Sequence, residues 1–398
     1  MYRSGQNRHE RTITRWLLSV LSNKAKGKQV KHTLLEAFIA SEIEPNAARW
    51  ERERHVPREV FSKAGAAALC GLMVPTEDGG AGATLLELTG VFERLAYSDM
   101  GFAFALIPHN NLSNAIAREG SNELKSKYLP AMLAGESLGA FLLTEPGVGT
   151  DASRISTTAS LNNGRWVING DKSWVTNGSR ADVLRVYAQT EPGSGAKGIA
   201  AFLVDANQQG VAPQERYEML GGHATGACAI HLNNVEVQPV QLFTPPGIAF
   251  RAAMDAIGLA RVLVAALCNG ILKRALDVAT ERLKSRQAFG QRLADNQGLR
   301  WMLADVATDI QASVALTEIA AQAIDVQAAD EIVRAAHAKK FAARAASRGI
   351  EACMQVLGAD GLLHDHPLAR QHAGAKMAHY LDGSTEVQNL VISKSLLD

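Results

Sequence analysis

The stretch Asn163-Gly164-Arg165-Trp166-Val167-Ile168-Asn169-Gly170-Asp171-Lys172-Ser173-Trp174-Val175-Thr176-Asn177-Gly178 decides the fold. Asn-Gly occurs three times in it, and that pair most readily supplies the two left-handed residues of a tight hairpin turn. Between the pairs, Arg165–Ile168 and Ser173–Thr176 are rich in β-branched and aromatic residues, which suit a pleated surface. The expectation is a set of short strands joined by hairpins. Working outward, further strands are expected at Val183–Ala188, Ile199–Val204, Cys228–Leu232 and Val235–Val237.

On both sides the pattern turns helical. From about 30 to 137, Ala-rich segments such as Phe61–Leu69 and Leu85–Tyr97 alternate with the breakers Pro57, Pro75, Gly79-Gly80, Gly101, Pro108 and Gly120. From about 246 onward, Ile257, Val264, Ile271 and Val278 recur every seven residues, as do Leu303, Ile310, Thr317 and Ile324. Such seams predict long antiparallel bundle helices. A third helix is expected near 330–357, ending at Gly358. A last one follows Gly383, where Thr385-Glu386-Val387-Gln388 fits a capping box.

The 398 residues, 47% hydrophobic and 20% charged, allow a real core and two or three domains. A net charge of +1 gives no global reason to expect nucleic acid. The charge is uneven. Residues 1–32 carry Arg3, Arg8, Arg11, Arg15, Lys24, Lys26, Lys28 and Lys31 against Glu10 alone. This basic arm, residues 1–30, reads as a solvated tail, with docking on an acidic partner surface as the alternative. Its one apolar run, Trp16–Leu21, is too short for a secretory core or a membrane span. The expectation is a cytoplasmic protein without a membrane, with an organelle import signal as the alternative. Cys70, Cys228, Cys268 and Cys353 are widely separated and form no metal-ligand spacing, so neither a disulfide framework nor a metal site is expected.

Two strings match the dinucleotide fingerprint, Gly147-Val148-Gly149-Thr150-Asp151-Ala152 and Gly193-Ser194-Gly195-Ala196-Lys197-Gly198. Neither closes a strand and opens a helix, so a Rossmann site is not expected. The second links two apparent strands and reads as a hairpin loop.

The first string gains meaning from its neighbours. Phe141-Leu142-Leu143-Thr144-Glu145-Pro146-Gly147-Val148-Gly149-Thr150-Asp151 and then Asn169–Gly178 resemble the two flavin-holding segments of the acyl-CoA dehydrogenase family. The order continues. Lys125-Ser126-Lys127-Tyr128-Leu129-Pro130, Arg286-Gln287-Ala288-Phe289-Gly290, Gln355-Val356-Leu357-Gly358-Ala359-Asp360-Gly361 and Asp382-Gly383-Ser384-Thr385-Glu386-Val387-Gln388 each resemble family motifs in sequence. The resemblance spans about 57–398. It implies an α+β fold: an N-terminal helical domain (31–137), a middle β-barrel-like domain (138–245) and a C-terminal four-helix bundle (246–398).

The resemblance also implies chemistry. FAD would be held by Leu142, Thr144, Gly149, Thr150, Trp174, Thr176, Arg286, Phe289, Gln355, Gly358, Ser384 and Glu386. Thr176 would meet the ring near N5, Thr144 its pyrimidine side, and Trp174 would shield it from water. Arg286 and the Gln355/Gly358 segment would reach the FAD of a neighbouring subunit, a fork of donors suiting a pyrophosphate. That makes a homotetramer the implied assembly. An acyl-CoA or carrier-bound acyl thioester would lose its α-proton to a carboxylate and a β-hydride to flavin N5, with electrons passing to an electron-transfer flavoprotein. The position of the family's Glu base is occupied here by Asp382, one methylene shorter. As a bare sequence, Asp382-Gly383 also reads as a turn before a capped helix. Thr150, Arg261, Leu381, Gly383 and His109 are the candidate substrate contacts, and His109 also reads as a structural histidine. Ala260 occupies an alternative base position and cannot serve. Gly258 stands where many members have an Asp near the pantetheine chain. An oxidase or monooxygenase on this fold, or a non-catalytic thioester-binding protein, are the alternatives.

Overall fold

The computed structural model describes residues 33–397, so the basic arm lies outside the described residues. After a helical segment over 33–43 come α1 (Ala47–Glu53), α2 (Arg58–Ala66), α3 (Leu85–Ser98), α4 (Met100–Glu119) and α5 (Asn122–Leu133). Local chemistry sets the starts. Thr84 and Glu87 form a reciprocal capping box on α3, and the Asp99 carboxylate accepts from Phe102 N–H at 2.7 Å to cap α4. Gly101 and Pro108 do not break the chain as expected; both lie inside α4. Residues 100–107 of that helix are all buried, so tertiary packing outweighs the local cost of the proline.

Eight strands follow: β1 (Gly139–Leu142), β2 (Thr158–Asn162), β3 (Arg165–Val175), β4 (Val183–Gln189), β5 (Ile199–Asp205), β6 (Val211–Arg216), β7 (Cys228–Val237) and β8 (Leu242–Thr244). They pair as two leaves, β6-β7-β3-β2 and β1-β4-β5-β8, joined through the single pair Thr158–Gln189. Leu142, Ile168, Val186, Phe202, Ile230 and Val235 fill the space between, giving a barrel-like core. Only Asn163-Gly164 makes the expected hairpin, with φ of 49° and 81°. Asn169-Gly170 instead lies within β3. Gly170 has φ of 152°, and a Cβ there would stand 2.5 Å from Thr157 Oγ1. The glycine serves close strand approach rather than a turn. Cys228–Val237 is likewise one strand, not two.

The third part holds α6 (Ala249–Ser285), a hairpin of β9 (Gln287–Ala288) and β10 (Gln291–Arg292), α7 (Gln297–Asp325), α8 (Glu331–Leu357), α9 (Pro367–Ala378) and α10 (Thr385–Leu397). The long helices α6, α7 and α8 pack on one another, with α10 on α8. The periodicity does not disclose α9, whose apolar positions are mostly alanine and glycine. The capping box expected at Thr385 is displaced. Thr385 Oγ1 bonds His379 Nδ1 at 2.9 Å, and Ser384 Oγ accepts from Val387 N–H at 3.5 Å. By length and composition α6 could cross a membrane, but 78% of its most apolar window is buried within the fold. Part of that burial comes from the N-terminal region. Leu88, Phe92 and Leu95 of α3 share one core with Leu263, Leu267 and Ile271 of α6. The helices meet at Gly270, where a Cβ would lie 2.1 Å from Glu93 O.

Candidate active site

The ends of β1 and β3 lie side by side. Ser173 N–H donates to Thr144 O at 2.9 Å, so the two threonine-bearing segments are neighbours. A buried ion pair fastens them from below. Lys172 Nζ, 0% exposed, donates to Glu145 Oε1 at 2.8 Å and to Leu143 O at 3.1 Å. Glu145 also accepts from Ser156 N–H (2.6 Å), Ser156 Oγ (2.7 Å) and Thr157 N–H (2.9 Å). Burial raises this carboxyl, but Lys172 and the hydroxyl donors outweigh it and hold it down at about 2. The loop Pro146–Asp151, with Gly147, Gly149 and exposed Thr150, is thereby pinned at both ends.

Beyond Lys172 the register with β7 shifts, and Trp174 takes a left-handed backbone with φ of 56°. The bulge turns its indole outward, 62% exposed, onto the Tyr217 ring at 4.4 Å. A large apolar residue held in that conformation and left open to water marks a binding position. Asn177, with φ of 64° and fully buried, ties the next turn to α4 and β1 by donating to Ala105 O (2.8 Å) and Gly139 O (3.2 Å). Thr176 is fixed between them. The hydroxyls of Thr144 and Thr176 make no hydrogen bond among the described residues, and Ser173 Oγ is buried without a partner. Free donors beside an exposed indole, next to a loop where a Cβ at Gly147 or Gly149 would touch nothing within 4 Å, fit a flat, polar-edged cofactor.

The carboxyl enters from the helical side. Phe250, Met254 and Ile257 of α6 pack on Phe141, Leu143 and Val148 at the end of β1. One turn on, Gly258 is buried, yet a Cβ there would meet nothing within 4 Å. That space opens on the face shared with Arg261, three residues later. Arg261 Nε donates to Asp382 O at 3.0 Å. Asp382 and Gly383 are both left-handed, with φ of 50° and 96°. Asp382 Oδ2 is buried and has no partner among the described residues. Burial pushes the carboxyl up to about 6, against the charges of Lys339 and Arg261. Leu381 packs on the helical core, Gly383 and Ser384 are half-buried, and Glu386 is exposed. Ala260 is buried.

His109 is not a substrate contact. It is fully buried, with Nε2 on Cys70 O at 3.0 Å and Nδ1 accepting from Gly139 N–H at 3.1 Å. Burial pushes the imidazole down to about 4, so it stays neutral and joins α4 to β1.

Arg286, Phe289, Gln355 and Gly358 gather elsewhere. All four are exposed, and Arg282 Nη2 bridges their two segments to Asp360 at 2.7 Å. Phe289 stands at the hairpin tip with its ring fully in solvent. Arg286 follows the last residue of α6, whose first residues pack on the β-domain. At 1.5 Å per residue that 37-residue helix is about 55 Å long. Arg286 therefore cannot reach the Thr144–Thr176 site of its own chain.

Residues 29–136, 140–235 and 250–397 match, in order, the models of the acyl-CoA dehydrogenase N-terminal, middle and C-terminal domains. The chain belongs to the acyl-CoA dehydrogenase family. An acyl-CoA dehydrogenase of Bacillus subtilis is 34% identical over 92% of this chain and 96% of its own length. The structure of butyryl-CoA dehydrogenase from Megasphaera elsdenii superposes with a TM-score of 0.88 at 30% identity, covering 93% of this chain and 98% of that one. A chain from a structure described as the electron transferring flavoprotein of Acidaminococcus fermentans superposes at 0.89 with 32% identity, covering 93% and 97%. The protein is thus an acyl-CoA dehydrogenase-type oxidoreductase acting on CH–CH bonds, of a family that depends on FAD. Within this acyl-CoA dehydrogenase frame, three site features escape sequence reading. Tyr217, the partner of Trp174, carries no motif. Lys172 lies in a motif but its burial is invisible there. Lys339 sits in an Ala-rich helix and reads as a surface residue.

Proposed function

We propose that the protein binds FAD along Thr144, Thr176 and Trp174, and removes the elements of hydrogen from the α and β carbons of an acyl-CoA. FAD held there would supply the acceptor for the β-carbon hydride. The chain's own residues do the rest. Thr144, Thr176 and Ser173 supply hydroxyls not otherwise engaged, and Trp174 with Tyr217 covers an apolar face. The acyl-CoA enters by the space beside Gly258. Asp382 takes the α-proton on its unpartnered Oδ2. That buried, unbonded carboxyl oxygen carries the reading, because a general base must keep its acceptor free and its acidity near the working pH. Since Arg286 and Phe289 lie about 55 Å along α6 from their own β-domain, they serve the FAD of a neighbouring copy in a homo-oligomer, a tetramer. An electron-transfer flavoprotein as acceptor is in keeping with the neighbour named for one.

The test is an anaerobic panel of acyl-CoA thioesters, read as loss of flavin absorbance. One or more should bleach the purified yellow protein. Asp382→Asn should stay yellow and bleach slower by about 10²–10⁴-fold. Bleaching at the unaltered rate would rule Asp382 out as the base. A protein that stays colourless with added FAD would sink the enzyme reading altogether.

A further inference from the structure

The ammonium of Lys339 is 0% exposed and has no carboxylate within ion-pair distance among the described residues. A buried charge without a partner is costly, so its retention needs a reason. Its protons go to two carbonyls, Gly383 O at 2.6 Å and His379 O at 3.2 Å. Both belong to the segment that presents Asp382. From the other side Arg261 Nε holds Asp382 O at 3.0 Å. His379 is itself fixed, with Nε2 on Ser347 Oγ and Nδ1 on Thr385 Oγ1, each at 2.9 Å. Two cations thus grip main-chain carbonyls on consecutive residues, Asp382 and Gly383, and neither bonds the carboxylate. A left-handed backbone is uncommon outside glycine, although aspartate tolerates it better than most, and this grip fastens the turn in that form.

Resting on the reading of Asp382 as base, we propose that Lys339 is its positioning residue, holding the Asp382–Gly383 turn through the Gly383 and His379 carbonyls while setting a positive charge beside the carboxyl. The groups facing that carboxyl are Lys339 of α8 and Arg261 of α6; the Cys268 thiol of α6, His379 after α9 and Glu386 of α10 surround Lys339. Only the two cations favour the ionised base. Without Lys339, burial goes less opposed, and the base is protonated to a higher pH.

The test compares the pH dependence of anaerobic flavin bleaching in the unaltered protein, Lys339→Arg and Lys339→Gln, using the best thioester of the panel. The unfolding midpoint and the affinity for an unreactive thioether analogue are measured alongside. Lys339→Arg keeps the charge and should leave the acid limb in place, with the rate lowered only by displaced donors. Lys339→Gln should move the limb up by about one pH unit, a rate loss of about tenfold below it, with analogue affinity kept. A merely structural lysine would lower the unfolding midpoint in both variants and move neither limb, and that result overturns the proposal. If Lys339→Gln does not retain flavin, Lys339→Met, of similar length and also uncharged, is read in its place: a limb raised there upholds the charge role, and one left where it was refutes it. Asp382→Asn separates the two readings. If it bleaches normally the base assignment has failed. If it is inert while Lys339→Gln is unaffected, only the positioning role has.

Discussion

Replacing Lys172 by Met tests the clamp beneath the flavin segments. Lys172 is 0% exposed and Glu145 nearly so, at 3% for its side chain. The substitution leaves the Glu145 carboxylate buried with the Ser156 and Thr157 donors but no countercharge. Breaking one side of a buried pair costs about 3–5 kcal/mol, far more than the pair contributes over an apolar replacement. It also frees Leu143 O, beside Thr144. Urea unfolding should show a loss of that size, and flavin should dissociate more readily. The double variant Lys172→Met with Glu145→Gln should regain about half, since the uncompensated charge has gone. The pH response has a definite sign. Glu145 is held below its ordinary 4.5, at about 2, so its contribution is full above 4.5 and is lost as pH falls through about 2. In Lys172→Met that acid-side loss should disappear. A single variant less than 1 kcal/mol weaker, or a double variant no better than the single, would refute the clamp.

Two further outcomes follow from particular contacts. Gly170→Ala would put a Cβ 2.5 Å from Thr157 Oγ1 and 2.7 Å from its Cα at a φ suited to glycine, and should cost about 2–3 kcal/mol in urea unfolding; an unchanged midpoint would show that β3 does not press on Thr157. Phe289→Ser removes a ring that touches nothing in its own chain. It should leave subunit stability within about 0.5 kcal/mol, while lowering flavin content and oligomer mass by sedimentation; both unchanged would dismiss its role across copies.

The sequence reveals most where one local rule acts alone. Asn163-Gly164 is a hairpin because nothing else competes for those residues. Asn169-Gly170 carries the same signal, yet the neighbouring Thr157 backbone claims the glycine and the strand runs on. Pro108 signals a break, but burial on every side keeps α4 whole. The site divides in the same way. The threonines and Trp174 are legible because each sits in a short contiguous motif at the end of a strand. The grip of Lys339 on Gly383 O spans 44 residues and joins α8 to a turn beyond α9, which no local pattern encodes. His109 reads from sequence both as a pocket residue and as a structural one, and the fold shows that both its nitrogens are taken.

The shared core of α3 and α6 bears on how the chain is made. Leu88, Phe92 and Leu95 have their partners in a helix that ends 187 residues after α3 does. At translation rates of 5–20 residues per second, that interval is roughly ten to forty seconds. During it the β-domain, whose strands pair within 139–244, can close on its own, while the apolar stripe of α3 stays open to solvent or to a chaperone. Nascent chains arrested before α6 emerges should therefore be the sticky ones, and slow codons just ahead of residue 249 the costly ones.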